Sequence, residues 1–284
     1  MKNCFRANLF YSMHSRKYVV SAILLMLITA VTIFIMAVED NLYKTTPALV
    51  DNLYEQLENS GYSEDEIREE TYYVLDISIS KLLRIVNDKD IVAMLIPIGF
   101  LAMLCSENKR KSVFQYVNMK GSIANWYKGK LLFMFFLSII AMLIQVLMCV
   151  LIGTALWPLE VEGEQFISSL FRIAIGSCVG NFLLLSMSYL MGYLCKGKFG
   201  LSYVAVLLMY YVLPIGLTFV PVGKENASSY YIVSGVNEVL EIQTSFGEYT
   251  FNMILCLIYI IVFVSLGYYV LKKDTSKCKI KGKI

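Results

Sequence analysis

Few side chains in this sequence can do chemistry at membrane depth, and their spacing excludes more than it permits. The only histidine is His14. It precedes the first long apolar stretch, so neither a Ser–His dyad nor an HExxH zinc site can be assembled further along. No pair of aspartates falls inside an apolar stretch, which argues against aspartyl intramembrane proteolysis. No GxxxxGK[ST] phosphate loop occurs, so if ATP drives this protein, another chain must bind it. The seven cysteines are Cys4, Cys105, Cys149, Cys178, Cys195, Cys256 and Cys278. They include no CxxC pair, and none lies in the long polar segment after the first apolar stretch, so neither a zinc site nor a disulfide framework is expected. Asn226-Ala-Ser228 matches a glycosylation sequon, a three-residue match common enough to be coincidence.

Three polar residues stand out against this background. Arg172 lies near one end of the fourth apolar stretch. There it can snorkel, pair with Glu162 or Glu164, or contact a translocated molecule. Gln145 and Asn181 are the main amides within apolar stretches, where hydrogen bonding between helices or a place on a translocation path would employ them. Gly176 and Gly180 have the small-xxx-small spacing that lets two helices approach closely. The scarcity of other ionisable groups weighs against ion-coupled transport, which relies on such groups or on broken helices near the midplane.

The elements that must position these residues are six apolar stretches: Tyr18 to Val38, Ile91 to Cys105, Leu131 to Leu156, Phe166 to Cys195, Phe199 to Val220 and Phe251 to Leu271. About 20 apolar residues cross a hydrocarbon core about 30 Å thick. A composition 57% hydrophobic and 17% charged, with mean hydropathy +0.62, agrees. The fold class read from this is an all-α polytopic membrane protein with six transmembrane helices. The first stretch exceeds a signal-peptide core and lacks a clear cleavage site, so it reads as a retained anchor.

Charge alternates between the stretches. Lys2, Arg6, Arg16 and Lys17 precede the first. Lys109, Arg110, Lys111, Lys120, Lys128 and Lys130 lie between the second and third, Lys196 and Lys198 between the fourth and fifth, and six lysines follow the sixth. Glu160, Glu162 and Glu164, then Glu225, Glu238, Glu241 and Glu248, mark the opposite side. In the segment 39–90 acids outnumber bases by eight. The positive-inside rule places both termini in the cytoplasm of a multi-pass cell-membrane protein. The basic tail, 272–284, suits anionic lipid rather than nucleic acid.

The segment 39–90 is long enough for a helical outer loop. Pro47 to Glu58 reads as a helix, Asn59, Ser60 and Gly61 as a break, and Ser63 with Glu66 as a capping box opening a second helix. Pro97 is expected to kink the second span, and the Pro97 and Pro214 breaks leave an ion-coupled carrier route open. Residues 221–250 are too short and polar to cross, and read as a re-entrant or interfacial piece.

On the cytoplasmic side, Cys105 to Leu132 reads as a helix from Glu107 to about Met119, a glycine break at Gly121, and a second helix entering the third span. Val113, Phe114, Val117 and Trp126 supply an apolar face on a basic segment, which by itself describes an interfacial helix on anionic lipid. The order of an acidic residue after span two, a basic helical stretch, a glycine, a polar turn and a lysine at span three is carried by Glu107, Lys109 to Lys111, Gly121, Ser122 and Lys130. In this order the chain resembles the permease subunits of type-2 ABC exporters, most of all the six-span permeases of the lantibiotic-immunity and bacitracin-resistance branch. Asn125 and Trp126 stand where that family often has an arginine.

The resemblance implies a mechanism. A cytosolic ABC ATPase subunit, carrying ATP and Mg, would grip segment 106–130 as a coupling helix, with Glu107, Lys109, Arg110, Phe114, Gly121 and Lys130 as the coupling residues. Residues 1–17 would form an elbow along the inner leaflet, with Phe5, Leu9 and Met13 on one face. Residues 18–284 would form the permease domain, paired with a second copy or a sister permease. The client would be amphipathic: an antimicrobial peptide first, a lipid or hydrophobic drug next. The chain itself would bind no cofactor and perform no catalysis. Two other classes remain open on the residues alone, a non-transporting membrane sensor or scaffold and an ion-coupled secondary carrier.

Overall fold

A computed structural model of the chain describes residues 5–6, 9–10, 16–61, 82–83, 85–86, 122–157, 164–196, 198–222, 225–226, 230 and 246–280. The long elements are α1 (Arg16–Thr45), α2 (Pro47–Asn59), α3 (Ile123–Leu156), α4 (Glu164–Leu194), α5 (Phe199–Leu207), a π-helical turn (Leu208–Val212), α6 (Leu213–Leu217) and α7 (Phe246–Ile280). A two-residue antiparallel pairing of Pro221–Val222 with Glu225–Asn226 follows α6. Among the described residues, five stretches are helical, long and apolar enough to cross a bilayer: Tyr18–Leu42, Ile123–Leu156, Leu170–Leu194, Gly200–Leu217 and Phe246–Lys273. The protein is a helical, multi-pass membrane protein. The expected second span, Ile91 to Cys105, and the Ser63–Glu66 capping box lie outside the described residues.

Helix ends fall beyond the apolar boundaries. α1 continues through the first seven residues of the expected outer loop to Thr45, so Glu39 and Asp40 are helical. Pro47 then opens α2, where its missing N–H costs nothing. α2 ends at Ser60 and Gly61, and Gly61 takes φ +84°, a left-handed value that suits glycine. α7 begins at Phe246, inside the expected 221–250 segment, and runs to Ile280, well into the basic tail.

The fifth apolar stretch is helical as far as Leu217 but changes pitch ahead of its proline. Pro214 has no N–H for the carbonyl of Tyr210, and its ring crowds that turn. The backbone widens just before it: the Leu213 N–H bonds to the Leu208 carbonyl, five residues back. A π turn therefore accommodates the proline within the helix.

α4 is the hub of the bundle. Over half of its apolar span is buried within the protein, against a third or less for the other four. Serines and amides make this possible, since small polar side chains let neighbours close in. Ser177, Ser188 and Asn181 on α4 are fully buried, as are Gly176 and Gly180. α3 and α7 pack along α4, α1 packs on α3, and α5 leans on α4.

Chain directions follow from which ends meet. Tyr18 of α1 stacks on Phe133 of α3, while Ile33 and Met36 of α1 cluster with Cys149 and Trp157 of α3, so α1 and α3 run in the same direction. Ile173 of α4 joins Trp157, and Tyr189 joins Tyr127, so α4 runs the other way. α7 runs with α4, because its Tyr249 meets Arg172 and its Leu271 joins the Tyr127 cluster. Leu82, Leu83 and Val86 are helical and buried against the Ile33–Trp157 cluster.

Candidate functional site

The junction that sequence reasoning singled out is built at the Ser122 end of α3. Ser122 has extended backbone, and its Oγ accepts the Asn125 N–H at 3.1 Å, so one of the helix's unpaired first-turn donors is satisfied. From Trp126, four residues after Ser122, the helix enters the bundle. Trp126 and Tyr127 are buried, and so are Gly129 and Lys130. Trp126 is therefore part of the core rather than of the exposed apolar face expected for it, because α4, α7 and α1 close around this end of α3.

Tyr127 fastens the junction. Its hydroxyl donates to the Val264 carbonyl of α7 at 2.7 Å. Its ring lies 5.5 Å from that of Tyr268 and 6.0 Å from that of Tyr189 on α4. Tyr189 stacks edge-on against Tyr193 at 4.8 Å, and their hydroxyls are hydrogen-bonded at 3.0 Å. The approach to α7 depends on Gly267: a methyl group there would stand 2.6 Å from the Tyr127 hydroxyl oxygen.

Of the residues expected to couple to a partner, Glu107, Lys109, Arg110, Phe114 and Gly121 lie outside the described residues. Lys130 is described. Its side chain is only 2% exposed, with Nζ 5.9 Å from the ring centres of both Trp126 and Phe133. At that distance from two aromatic rings its ammonium makes cation–π contacts within the junction. Phe5 and Leu9, assigned to the elbow, pack on this same cluster, and Phe5 meets Phe136 edge-on at 5.9 Å.

The polar residues of the spans are spread over the bundle rather than gathered. Gln145 is fully buried on α3 and donates to the Val86 carbonyl at 3.3 Å, an interhelical bond; its Oε1 has no hydrogen-bond partner. Asn181 is fully buried on α4. Arg172 sits eight residues into α4, about 12 Å along its axis. Its guanidinium lies 5.0 Å from the centre of the Tyr249 ring, and the Tyr249 hydroxyl donates to the Arg172 carbonyl at 3.3 Å. A cation–π contact of this kind lets a half-buried arginine sit within a span.

At the far end of α3, a second fastening was not foreseen. Asp40 of α1 is buried, and its Oδ2 accepts hydrogen bonds from Trp157 Nε1 and from Lys44 Nζ, each at 2.9 Å. Lys44 is mostly exposed, so Trp157 is the enclosed partner. A signal was present: Asp40 continues the buried stripe of Leu25, Thr29, Ile33 and Met36 at helical spacing. Tyr127 offered no comparable cue, because its partner Gly267 is 140 residues away in sequence.

No cluster of three or more metal-ligating side chains occurs among the described residues. What the arrangement can do is mechanical. The end of α3 that receives segment 106–121 is tied to α4 and α7, and the other end is tied to α1. Comparisons with protein-family models, with curated proteins and with solved structures find no match to this chain.

Proposed function

We propose that this chain is the membrane-spanning permease subunit of an ATP-driven ABC exporter, working with a cytosolic ATPase subunit and a second permease copy or sister chain. One observation carries the reading: the Ser122-capped, buried start of α3 is fixed to α4 and α7 through Trp126 and Tyr127. A segment meant to receive a push from a partner needs a rigid body behind it, and residues 106–121 lead directly into one.

Chain direction supports six spans. α1 and α3 run in the same direction, and two parallel spans require an odd number of crossings between them. The apolar stretch Ile91 to Cys105 lies in that interval. With the basic segments inside, both termini are cytoplasmic, as the positive-inside rule expects. The spans present an apolar, charge-poor interior, which suits an amphipathic client. An antimicrobial peptide is the first choice, and a lipid or hydrophobic drug the next.

The test is a gentle-detergent pull-down of the tagged full chain from its native membrane, with sequencing of what co-elutes. A stoichiometric protein bearing a GxxxxGK[ST] loop is the expected result. An intact, folded chain that brings down no such protein overturns the reading and leaves the sensor and the ion-coupled carrier, which an imposed ion gradient then separates.

A further inference from the structure

We propose that Tyr127, seated on Gly267, is the positioning residue that makes α7 follow α3 when segment 106–130 is pushed; the proposal rests on the permease reading. α3 and α7 flank α4 and have little direct contact with each other. Without a tie between them, α7 would be moved only through α4. The tie lies at the Ser122 end, where the Tyr127 hydroxyl reaches the Val264 carbonyl at 2.7 Å. Val264 is the residue whose carbonyl an α-helix offers to the N–H of Tyr268, so the hydroxyl engages a rung of the α7 ladder. A bond at such a rung joins backbone to side chain and is not easily replaced by a flexible contact.

Gly267 makes room for the tie. With a methyl group at 267, the nearest atoms would be the Tyr127 hydroxyl oxygen at 2.6 Å and Cζ at 3.6 Å. The first separation is a collision; the second is ordinary contact. The hydroxyl and a β-carbon therefore compete for one space, and removing the hydroxyl should accommodate the methyl group. The rings of Tyr189 and Tyr268 both pack against the phenol.

The experiment uses the full chain with its co-purified ATPase in native-like detergent and follows backbone amide exchange with and without ATP and Mg. In the wild type, nucleotide should change exchange at both far ends, 150–157 of α3 and 246–252 of α7. Tyr127→Phe should retain the ATPase, its hydrolysis and the response at 150–157, and lose most of the response at 246–252. A merely structural role would shift both segments or neither. Gly267→Ala should lower the membrane yield several-fold, and Tyr127→Phe/Gly267→Ala should recover that yield while keeping the uncoupled exchange pattern.

An unchanged response at 246–252 in Tyr127→Phe overturns the proposal, as does a wild type whose 246–252 segment ignores nucleotide. A double variant no better than Gly267→Ala overturns the shared-space argument. If no ATPase accompanies the wild-type chain, the permease reading itself fails and takes the coupling role of Tyr127 with it, an outcome distinct from the others.

Discussion

Replacing Trp157 by Phe removes one hydrogen-bond donor from a buried carboxylate, and the cost can be worked out from the surroundings of Asp40. Its Oδ2 accepts from Trp157 Nε1 and Lys44 Nζ at 2.9 Å each, and its Oδ1 has no hydrogen-bond partner. The Lys44 side chain is 58% exposed against 8% for Asp40. An i,i+4 pair with one solvated member contributes about 0.3–0.5 kcal/mol. A buried hydrogen bond to a charged acceptor contributes about 1.5–3 kcal/mol, so the indole is the partner that matters. The smaller ring also leaves a void, which adds a packing cost unrelated to the hydrogen bond. A double-mutant cycle of Trp157→Phe with Asp40→Leu separates the two, because the void appears on both arms and leucine offers the indole no acceptor. The expected coupling is about 1.5–3 kcal/mol, or about 3–6 °C in melting temperature at about 2 °C per kcal/mol for a chain of this size. Thermal shift of the purified full chain, followed by size-exclusion of the surviving fraction, reads it. Coupling below about 0.5 kcal/mol, or a Lys44→Ala loss as large as that of Trp157→Phe, would refute the claim that the enclosed bond joins α1 to α3.

The remaining expectations are smaller or functional. Ser122→Ala should cost about 1 kcal/mol by removing the cap on the Asn125 N–H, and Ser122→Asp should restore it in the same thermal assay. Gln145→Leu should change stability by less than about 1 kcal/mol, because a long bond to the Val86 carbonyl is lost while an unpartnered buried oxygen is removed; a larger loss in the melting curve would mean that the amide is held more tightly than its geometry implies. On the permease reading, Glu107→Lys should leave the chain in the membrane and its partner ATPase hydrolysing ATP but abolish export, and normal peptide resistance in cells carrying that variant would remove Glu107 from the proposed mechanism.

Much of the architecture was legible because membrane burial writes itself as long apolar runs. Leu131 to Leu156 and Phe166 to Cys195 have no rival interpretation, and the structure has helices over both. The helix Pro47–Asn59 and the glycine stop after it were legible for a local reason, proline at a helix start and a left-handed glycine at its end. Helix ends were less legible. Apolar content stops at the headgroups, whereas backbone hydrogen bonding does not, so α1 runs on through Glu39 and Asp40 and α7 runs on into the lysine-rich tail. The burial of Trp126 and Lys130 was hidden more deeply. Both lie in a basic segment that a hydropathy argument assigns to the surface, and only the convergence of α1, α4 and α7 at that end takes them inside. The two fastenings were hidden for the same reason: each joins residues more than a hundred positions apart.

Taken together, the polar bonds of α3 explain how one helix can transmit a displacement through an otherwise apolar bundle. Apolar contacts between helices resist separation but permit sliding, because a leucine face has no preferred partner among other leucine faces in lipid. Directional bonds do not permit sliding without breaking. α3 has one near its start to α7, through Tyr127, and one at its end to α1, through Trp157; between them Ser138 meets Cys178 of α4 at 3.6 Å and Gln145 meets Val86. Each bond goes to a different part of the chain and at a different depth. The fifth span, by contrast, is the least enclosed of those described, and the hydroxyl of Ser202 on α5 bonds within its own first turn, to the Lys198 carbonyl. On the permease reading, a push arriving at Ser122 would be carried along these bonds, and the fifth span, with its π turn ahead of Pro214, is joined to α3 by none of them.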